Sequence, residues 1–315
     1  MNLVFEFGGN HEICQLVYES IYAQVDVFYP HIKKTLVERD RRPSPYPGGR
    51  DSLYNMVVYN ADNRKCTILS FWERGLDTLL CGSYAPDHGY VWGDDLQYVH
   101  LIGGMGINKE MLAQSTVQKF TPFLYTLDLE KKYNQIQATK SPYVFDQKIK
   151  KAAFVGKLYP ARMEIVKYLQ GHPLIDIYDD TFGFFNEDYF RKMNEYAITL
   201  SLNGNAEICV RDLESMGLGI PIVRSELSSL LLHPIVPEVH YLRGSDPSCT
   251  AGMNYTYGTT KMIAEQLVDR IETALKEPEH LQYISQNGLQ YYDNFVHHDK
   301  VVQEFFKVFN PEELS

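Results

Sequence analysis

The sequence contains few cysteines, and they follow no regular spacing. Its five cysteines are odd in number and include no Cys-x-x-Cys pair, so they indicate neither a disulfide framework nor a zinc site. Cys14 and Cys209 each fall inside an apolar helical pattern. We therefore expect buried free thiols and a reducing, cytoplasmic setting.

Positive charge is in deficit as well. The chain has 30 lysines and arginines against 40 acidic residues, a formal net charge of −10. Such a chain gains little from displacing counterions on a polyanion, which argues against nucleic acid as a partner. A local basic pocket for a diphosphate stays open.

Long apolar runs are also missing. No run approaches the roughly 18 residues that a membrane-spanning helix needs. The N-terminal segment over 1–9 lacks the basic start and long apolar core of a signal peptide. We expect a chain that has no membrane span.

The remaining composition is that of a globular protein, with 44% hydrophobic and 22% charged residues in a chain of 315. At about 100–200 residues per domain, this length predicts two domains. We predict an N-terminal domain over 1–145 and a second domain over 151–290. A C-terminal helix over 291–315 can pack back on the first domain.

The first half alternates short apolar strands with helical segments, and a proline- and arginine-rich loop over 39–50 interrupts them. This alternation predicts an open parallel sheet with helices on both faces. The predicted strands are 3–7, 25–28, 56–59, 67–71 and 98–102, and the first helix is 12–23.

A polar, lysine-rich stretch over 133–150 reads as an interdomain link, and a second β/α series follows it. Its helix over 259–275 is strongly periodic, with Met262, Ile263, Leu267 and Ile271 on one stripe. The other predicted helices are 162–170, 189–194, 206–216, 281–293 and 300–308. The predicted strands are 152–155, 174–178, 196–202, 220–223 and 239–242.

Two loops of this second series carry the candidate chemistry. One follows the strand ending at Val155 and contains Gly156, Lys157 and, at the next helix, Arg162. The other follows the strand ending near Ser201. Because ligands of open α/β sheets bind beyond the carboxyl ends of the strands, we expect both loops to line one site.

The second loop reads Ser201-Leu-Asn203-Gly204-Asn205 and leads into a helix predicted to start at Ala206. Gly204 permits a sharp turn and close ligand approach. A helix start offers free N–H groups to a diphosphate. The spacing of Glu207, Arg211 and Glu214 puts all three on one helical face, where Arg211 offers a bidentate contact.

This order of elements resembles the C-terminal domain of GT-B glycosyltransferases, most closely the protein O-glucosyltransferase and xylosyltransferase family (capsule-associated, KDEL-containing). Phe154, Gly156 and Arg162 match its Phe-x-Gly loop with a following arginine. The matches to its donor-diphosphate element are Ser201, Gly204 and Arg211. The resemblance covers about 151–309.

The resemblance implies an α/β fold of two facing Rossmann-like domains (GT-B) with C-terminal helices. It also implies transfer of glucose or xylose from a UDP-sugar to a hydroxyl of a glycan or protein. The implied enzyme uses neither a metal ion nor a cofactor. The implied donor-binding residues are Gly156, Lys157, Arg162, Ser201, Asn203, Gly204, Asn205, Glu207 and Arg211.

One departure from related patterns concerns the stereochemistry. Retaining enzymes of this fold often carry two glutamates eight residues apart, whereas Glu207 and Glu214 are seven apart. This spacing favours inversion, which needs a general base. The family places an aspartate after an N-terminal strand. Here Asp77 is the first candidate and Glu73 the second, with His11, Asp87 and Asp95 still open.

Plainer interpretations remain. Glu207 and Arg211 can form an ordinary surface ion pair, and Lys157 and Arg162 can be solvated charges at a helix start. The acidic pairs at 94–95 and 179–180 are typical of surface turns rather than metal sites. An epimerase of free nucleotide-sugars and a non-catalytic carbohydrate-binding protein stay open as alternative functions.

Overall fold

A computed structural model describes residues 1–8, 15–39, 55–70, 97–103, 109, 113, 119–123, 130–158, 160–179, 187–203, 207–245 and 257–315. The candidate bases Glu73 and Asp77 lie outside these ranges, as do the alternatives His11, Asp87 and Asp95. Gly204 and Asn205 of the second loop also lie outside them, and so does most of the predicted loop over 39–50.

The described chain forms two compact units, each of them α/β and Rossmann-like. The first unit comprises Met1–Leu129, Ser229–His233 and His297–Ser315, and the second comprises Glu130–Ser228 and Pro234–Val296. Each unit is built on its own sheet.

The strands are β1 (Asn2–Gly8), β2 (Lys33–Arg39), β3 (Asn55–Asn60), β4 (Lys65–Ser70), β5 (Gln97–Gly103), β6 (Phe120–Pro122), β7 (Ile149–Gly156), β8 (Ile175–Asp179), β9 (Tyr196–Leu200), β10 (Ile222–Ser225) and β11 (Leu242–Ser245). The helices are α1 (Gln15–Phe28), α2 (Glu130–Thr139), α3 (Pro160–Leu169), α4 (Glu187–Asn194), α5 (Val210–Leu218), α6 (Tyr257–Ala274), α7 (Pro278–Phe295) and α8 (His298–Val308).

The sheet of the first unit has the order β2-β1-β3-β4-β5-β6 and is mixed. Strand β3 runs antiparallel to both β1 and β4, and the other pairs are parallel. A wholly parallel sheet was expected from the alternation. The connection over 61–64 is too short for the crossover that parallel neighbours require, so β3 and β4 form a hairpin.

Helix α1 includes the segment Val25–Phe28, for which the sequence predicted a strand. The fully buried residues of this helix recur with helical spacing, at Val17, Tyr18, Ile21 and Val25. The apolar run over 25–28 therefore continues the helix instead of forming a separate strand. Helix α8 belongs to the same unit and packs on α1, where the rings of Phe28 and Phe306 stack 4.2 Å apart.

The sheet of the second unit has the order β11-β10-β9-β7-β8, and all its pairs are parallel. Helix α3 packs beside α6, whereas α5 packs beside α2, α4 and α7. The core of this unit is aliphatic, and α6 contributes a fully buried stripe of Ile263, Leu267, Ile271 and Ala274. Met262, which the sequence placed on that stripe, is 42% exposed.

The stretch over 133–150 is not a link. It begins inside α2 and ends inside β7, and α2 buries Ile136 and Lys132. Lys132, which lies in α2 just before this stretch, is buried and forms an ion pair with Glu214, so a polar, lysine-rich composition does not exclude a packed helix here. The predicted strand over 239–242 also shifts, since β11 begins only at Leu242.

Within the part of the chain that the structure describes, no helix is both long and apolar enough to cross a lipid bilayer.

Candidate functional site at the carboxyl ends of β7 and β9

The strand order of the second unit defines where a ligand can enter. Counted from β7 the order is 2-1-3-4-5, a doubly wound sheet. The chain leaves β7 toward β8 on one side and leaves β9 toward β10 on the other. Right-handed crossovers then put α3 and α5 on opposite faces, and a crevice opens between the carboxyl ends of β7 and β9.

Gly156 ends β7 at this crevice, in a conformation that favours glycine. Its φ is +142°, and an added Cβ would lie 2.1 Å from Nη2 of Arg211. Any side chain at this position would have to displace the guanidinium. The glycine predicted for donor binding therefore also makes room for the arginine predicted for the same role.

Arg211 lies in the first turn of α5, and its side chain reaches across to β7. Its Nε donates to the carbonyl oxygen of Val155 at 2.7 Å, and its guanidinium lies 4.2 Å from the ring centre of Phe154. Arg211 is 5% exposed. It thus joins the strand and the helix that border the crevice.

Arg211 nevertheless keeps unused hydrogen-bonding capacity. Among the described residues its Nη1 has no hydrogen-bond partner, and no carboxylate there forms an ion pair with it. A buried donor without a partner costs roughly 1–3 kcal/mol, and more when the group is charged. An anion bound at Nη1 would remove that cost.

The guanidinium of Arg162 is occupied by contacts within the chain itself. Nε donates to the carbonyl oxygens of Leu202 and Asn203, both at 3.1 Å, and Nη1 donates to that of Lys157 at 2.8 Å. Nη2 lies 3.2 Å from Sγ of Cys209. Arg162 therefore ties the loop after β7 to the loop after β9.

Arg224, at the carboxyl end of β10, is a further buried arginine that the sequence analysis did not single out. It forms an ion pair with Asp212. Its Nη2 donates to Oδ1 of Asn203 at 3.1 Å and to the carbonyl oxygen of Glu207 at 2.5 Å. The available signal was an arginine directly after the apolar strand Ile222-Val223.

The helix after the second loop starts later than expected, at Val210 instead of Ala206. Cys209 is its N-cap, and Asp212 accepts a hydrogen bond from the backbone N–H of Cys209 at 2.7 Å. Glu207 precedes the helix, and its carboxylate accepts from the N–H and the hydroxyl of Ser228 at 2.7 and 3.0 Å.

The predicted face of Glu207, Arg211 and Glu214 is therefore wrong. Glu207 is not on α5, and the fully buried Glu214 binds Lys132 and Tyr189 instead of lining the crevice. The displaced start follows from the cap, because Asp212 satisfies Cys209 N–H and fixes the first turn there.

The other predicted donor-binding residues that the structure describes lie around the same crevice. Ser201 is buried, and its N–H donates to the carbonyl oxygen of Val223 at 3.0 Å. Asn203 is half-buried between Arg162 and Arg224, whereas the side chain of Lys157 is exposed. The loops thus converge as expected, and the donor contacts of these residues stay predictions.

Six formally charged side chains are buried among the described residues, and all of them belong to the second unit. Four are cations and two are anions, so an interior region of this acidic chain carries excess positive charge. They are Lys132, Arg162, Arg211, Asp212, Glu214 and Arg224.

The thiol next to the site is unsuited to nucleophilic chemistry. Burial raises the pKa of Cys209, and the nearby Arg162 only partly opposes that rise. The thiol form therefore dominates at neutral pH, whereas attack requires the thiolate. Cys209 is therefore not suited to act as a nucleophile here.

Within the described ranges one group of side chains has the composition of a metal site, His297, His298 and Asp299, whose ligand atoms lie within 4.8 Å of one another. It stands at the start of α8 in the first unit. It shares no residue with the crevice.

No protein-family model and no curated protein matches this sequence. Among solved structures, the chain is similar in fold to Anabaena Alr3699/HepE in complex with UDP-glucose, with 11% identity and a TM-score of 0.42. That match covers 67% of this chain and 63% of the other.

A second similar structure is the pneumococcal O-GlcNAc transferase GtfA in complex with UDP and GlcNAc, with 12% identity and a TM-score of 0.38. The match covers 67% of this chain and 44% of that one. This chain therefore covers less than two thirds of either neighbour.

Proposed function

We propose that this chain is a glycosyltransferase of the GT-B type that binds the diphosphate of a UDP-sugar at the carboxyl ends of β7 and β9. It transfers the sugar, glucose or xylose, to a hydroxyl of a glycan or protein acceptor. The proposed transfer inverts the anomeric centre and needs no metal ion.

The observation that carries this proposal is the state of Arg211. The side chain is buried, its Nη1 has no partner among the described residues, and it stands at the crevice where doubly wound sheets bind ligands. A guanidinium presents a planar fork of donors that matches phosphate oxygens. An anionic ligand supplies the missing partner.

Two neighbouring features support an anion at this position. Gly156 makes room for the guanidinium of Arg211, which a Cβ at that residue would displace. Arg211 also lies in the first turn of α5, where N–H groups and the helix dipole favour negative charge.

The proposed chemistry follows from where charge develops. As the bond from the sugar to the diphosphate breaks, negative charge accumulates on the leaving group, and Arg211 stabilises it. A base from the N-terminal half, Asp77 or Glu73 by resemblance, takes the proton of the acceptor hydroxyl. Arg162 and Arg224 hold the loops in place during this step.

The first test is calorimetric titration of the purified protein with UDP, GDP, CDP and ADP, each with and without magnesium. We expect micromolar affinity for UDP that does not depend on the metal. Binding of a different nucleotide would change the donor class, and binding of none would contradict a preformed donor site.

The second test is Arg211→Ala, with Arg191→Ala as the matched control because Arg191 is exposed and lies on α4 of the same unit. Losing a charged hydrogen bond of about 1.5–3 kcal/mol weakens UDP binding roughly 10- to 150-fold. The control should bind like the wild type. Equal affinities in both variants, with unchanged thermal melting, would remove Arg211 from the site.

A product assay separates the proposed transferase from its alternatives. Incubation with UDP-glucose or UDP-xylose in the presence of acceptor candidates should release UDP, and Arg211→Ala should abolish that release. Interconversion of free UDP-sugars without an acceptor would indicate an epimerase. Binding without turnover under all conditions would indicate a non-catalytic protein.

A further inference from the structure

Glu214 is a buried carboxylate one turn after Arg211 on α5. It is 0% exposed, and side chains three apart on a helix are neighbours. A glutamate in this position is the natural ion-pair partner of Arg211. In the structure it does not pair with Arg211.

Two other side chains occupy the carboxylate of Glu214. Nζ of Lys132, from α2, lies 2.5 Å from Oε1, and the hydroxyl of Tyr189, from α4, donates to Oε2 at 2.7 Å. Lys132 is buried, and Tyr189 is 5% exposed. Both oxygens of the carboxylate are therefore held by groups from other helices.

From this arrangement we infer that Lys132, with Tyr189, is a positioning residue that holds Glu214 away from Arg211 and so keeps the guanidinium available for an anion. The inference rests on the proposed function, since it takes the anion to be the diphosphate of the donor. It assigns the specificity for an anion partly to residues that never touch the ligand.

The charge balance explains why Glu214 must be held away from Arg211. If Glu214 paired with Arg211, the guanidinium would already be neutralised and would leave Val155 and the crevice. Lys132 supplies a competing cation of equal charge, so the Glu214–Lys132 pair is neutral and Arg211 keeps its full charge. An arriving diphosphate then meets a guanidinium that no carboxylate has neutralised.

The groups that face Glu214 come from three helices besides its own. They are Lys132 of α2, Tyr189 of α4, Tyr292 of α7 and, on α5 itself, Arg211. Burial raises the pKa of Tyr189, followed by the Glu214 charge, and Arg211 acts against that rise. The Tyr189 hydroxyl therefore stays protonated and keeps donating to Glu214.

The test replaces Lys132 by methionine, which keeps most of the side-chain volume and removes the charge. In Lys132→Met, Glu214 is free to pair with Arg211. We therefore expect UDP affinity to fall at least about tenfold. The double variant Lys132→Met/Glu214→Gln removes the competing carboxylate as well, and its affinity should recover. Lys150→Met, an exposed lysine of the same unit, is the matched control.

The double variant also distinguishes charge competition from structural damage. Restored affinity in Lys132→Met/Glu214→Gln indicates that the released carboxylate caused the loss. If the helix bundle is merely loosened, the double variant binds as poorly as the single one, and that result would overturn the inference.

A crystal structure of Lys132→Met provides a readout that needs no nucleotide. We expect the guanidinium of Arg211 within ion-pair distance of Glu214 and no longer bonded to Val155. If Arg211 stays on Val155, the inference fails even where UDP binds. If the wild type binds no nucleotide but Arg211 moves as described, the proposed function fails and the positioning role stands.

Discussion

The two units differ in what they bury. Among the described residues of the first unit, every buried polar side chain is neutral: Asn60, Thr67 and His100. The second unit buries six formal charges. Both are α/β units, although the sheet of the first is mixed and that of the second is all parallel.

The physical cost of burial explains why this difference is informative. The neutral groups of the first unit are hydrogen-bonded within that unit, as where Asn60 Nδ2 donates to the carbonyl oxygen of Leu314 at 2.8 Å. Buried charges are far more expensive and persist where they are paired, hydrogen-bonded or reserved for a ligand. The second unit contains the first two cases in Arg224 and Arg162, and we propose the third for Arg211.

The largest expected effect comes from Arg224→Met, compared with Arg243→Met. The two arginines are register partners on β10 and β11, but Arg224 is buried and Arg243 is exposed. Arg224→Met leaves Asp212 buried and unpaired, which should cost about 3–5 kcal/mol of unfolding free energy. The exposed pair of Arg243 with Glu226 should contribute less than about 1 kcal/mol.

Urea unfolding of the second unit, followed by circular dichroism, measures both values. Because Arg224 also holds Asn203 and the carbonyl oxygen of Glu207, its loss should weaken UDP binding too. Equal stability losses in the two variants would remove the distinction between paired buried charge and surface charge.

The first unit offers a pH test at His100. Burial, followed by the charge of Lys119, lowers its pKa to about 4, whereas the unfolded chain titrates near 6.5. The unfolded state therefore binds more protons between these values, and stability falls as the pH drops from 6.5 toward 4. The slope is about 1.4 kcal/mol per pH unit, or up to roughly 3 kcal/mol in total.

His100→Gln can keep the bond to Thr121 without titrating, so its unfolding free energy should fall less steeply over this range. The exposed His31→Gln should keep the wild-type slope. Urea unfolding at pH 4.5 to 7 measures both, and parallel curves for all three proteins would show that His100 does not carry the dependence.

The smallest expected stability effect is that of Gly156→Ala, for which Gly171→Ala is the control. Both glycines have positive φ, but a Cβ at Gly171 meets nothing within 4 Å. Backbone strain should cost each variant about 1–3 kcal/mol. Only Gly156→Ala also displaces Arg211, so only this variant should lose UDP affinity, by about tenfold or more.

Calorimetry with UDP and thermal melting separate these two contributions. If both alanine variants bind UDP equally well, the close approach of Gly156 to Arg211 has no role in the site. If neither variant melts earlier than the wild type, the positive φ values carry no strain.

Much of the fold could be read from local pattern. The helices over 257–274, 278–295 and 298–308 lie within a few residues of their predictions, because their apolar positions repeat with the helical period over several turns. Short segments were less determinate. The four-residue run Val25–Phe28 and the lysine-rich α2 carry too few apolar positions to distinguish strand, helix and link.

The amino-acid sequence by itself determined that two loops with glycine and basic residues follow neighbouring strands of an α/β unit. Only the tertiary structure decided which basic residue is available, because the answer depends on partners distant in the chain. Arg162 is bonded to backbone 40 and 41 residues away, Arg224 is paired with Asp212, and Lys132 holds Glu214 from 82 residues earlier. Periodicity specifies which face of a helix or strand a side chain occupies. Long-range packing decides which of its hydrogen-bonding groups still lack a partner.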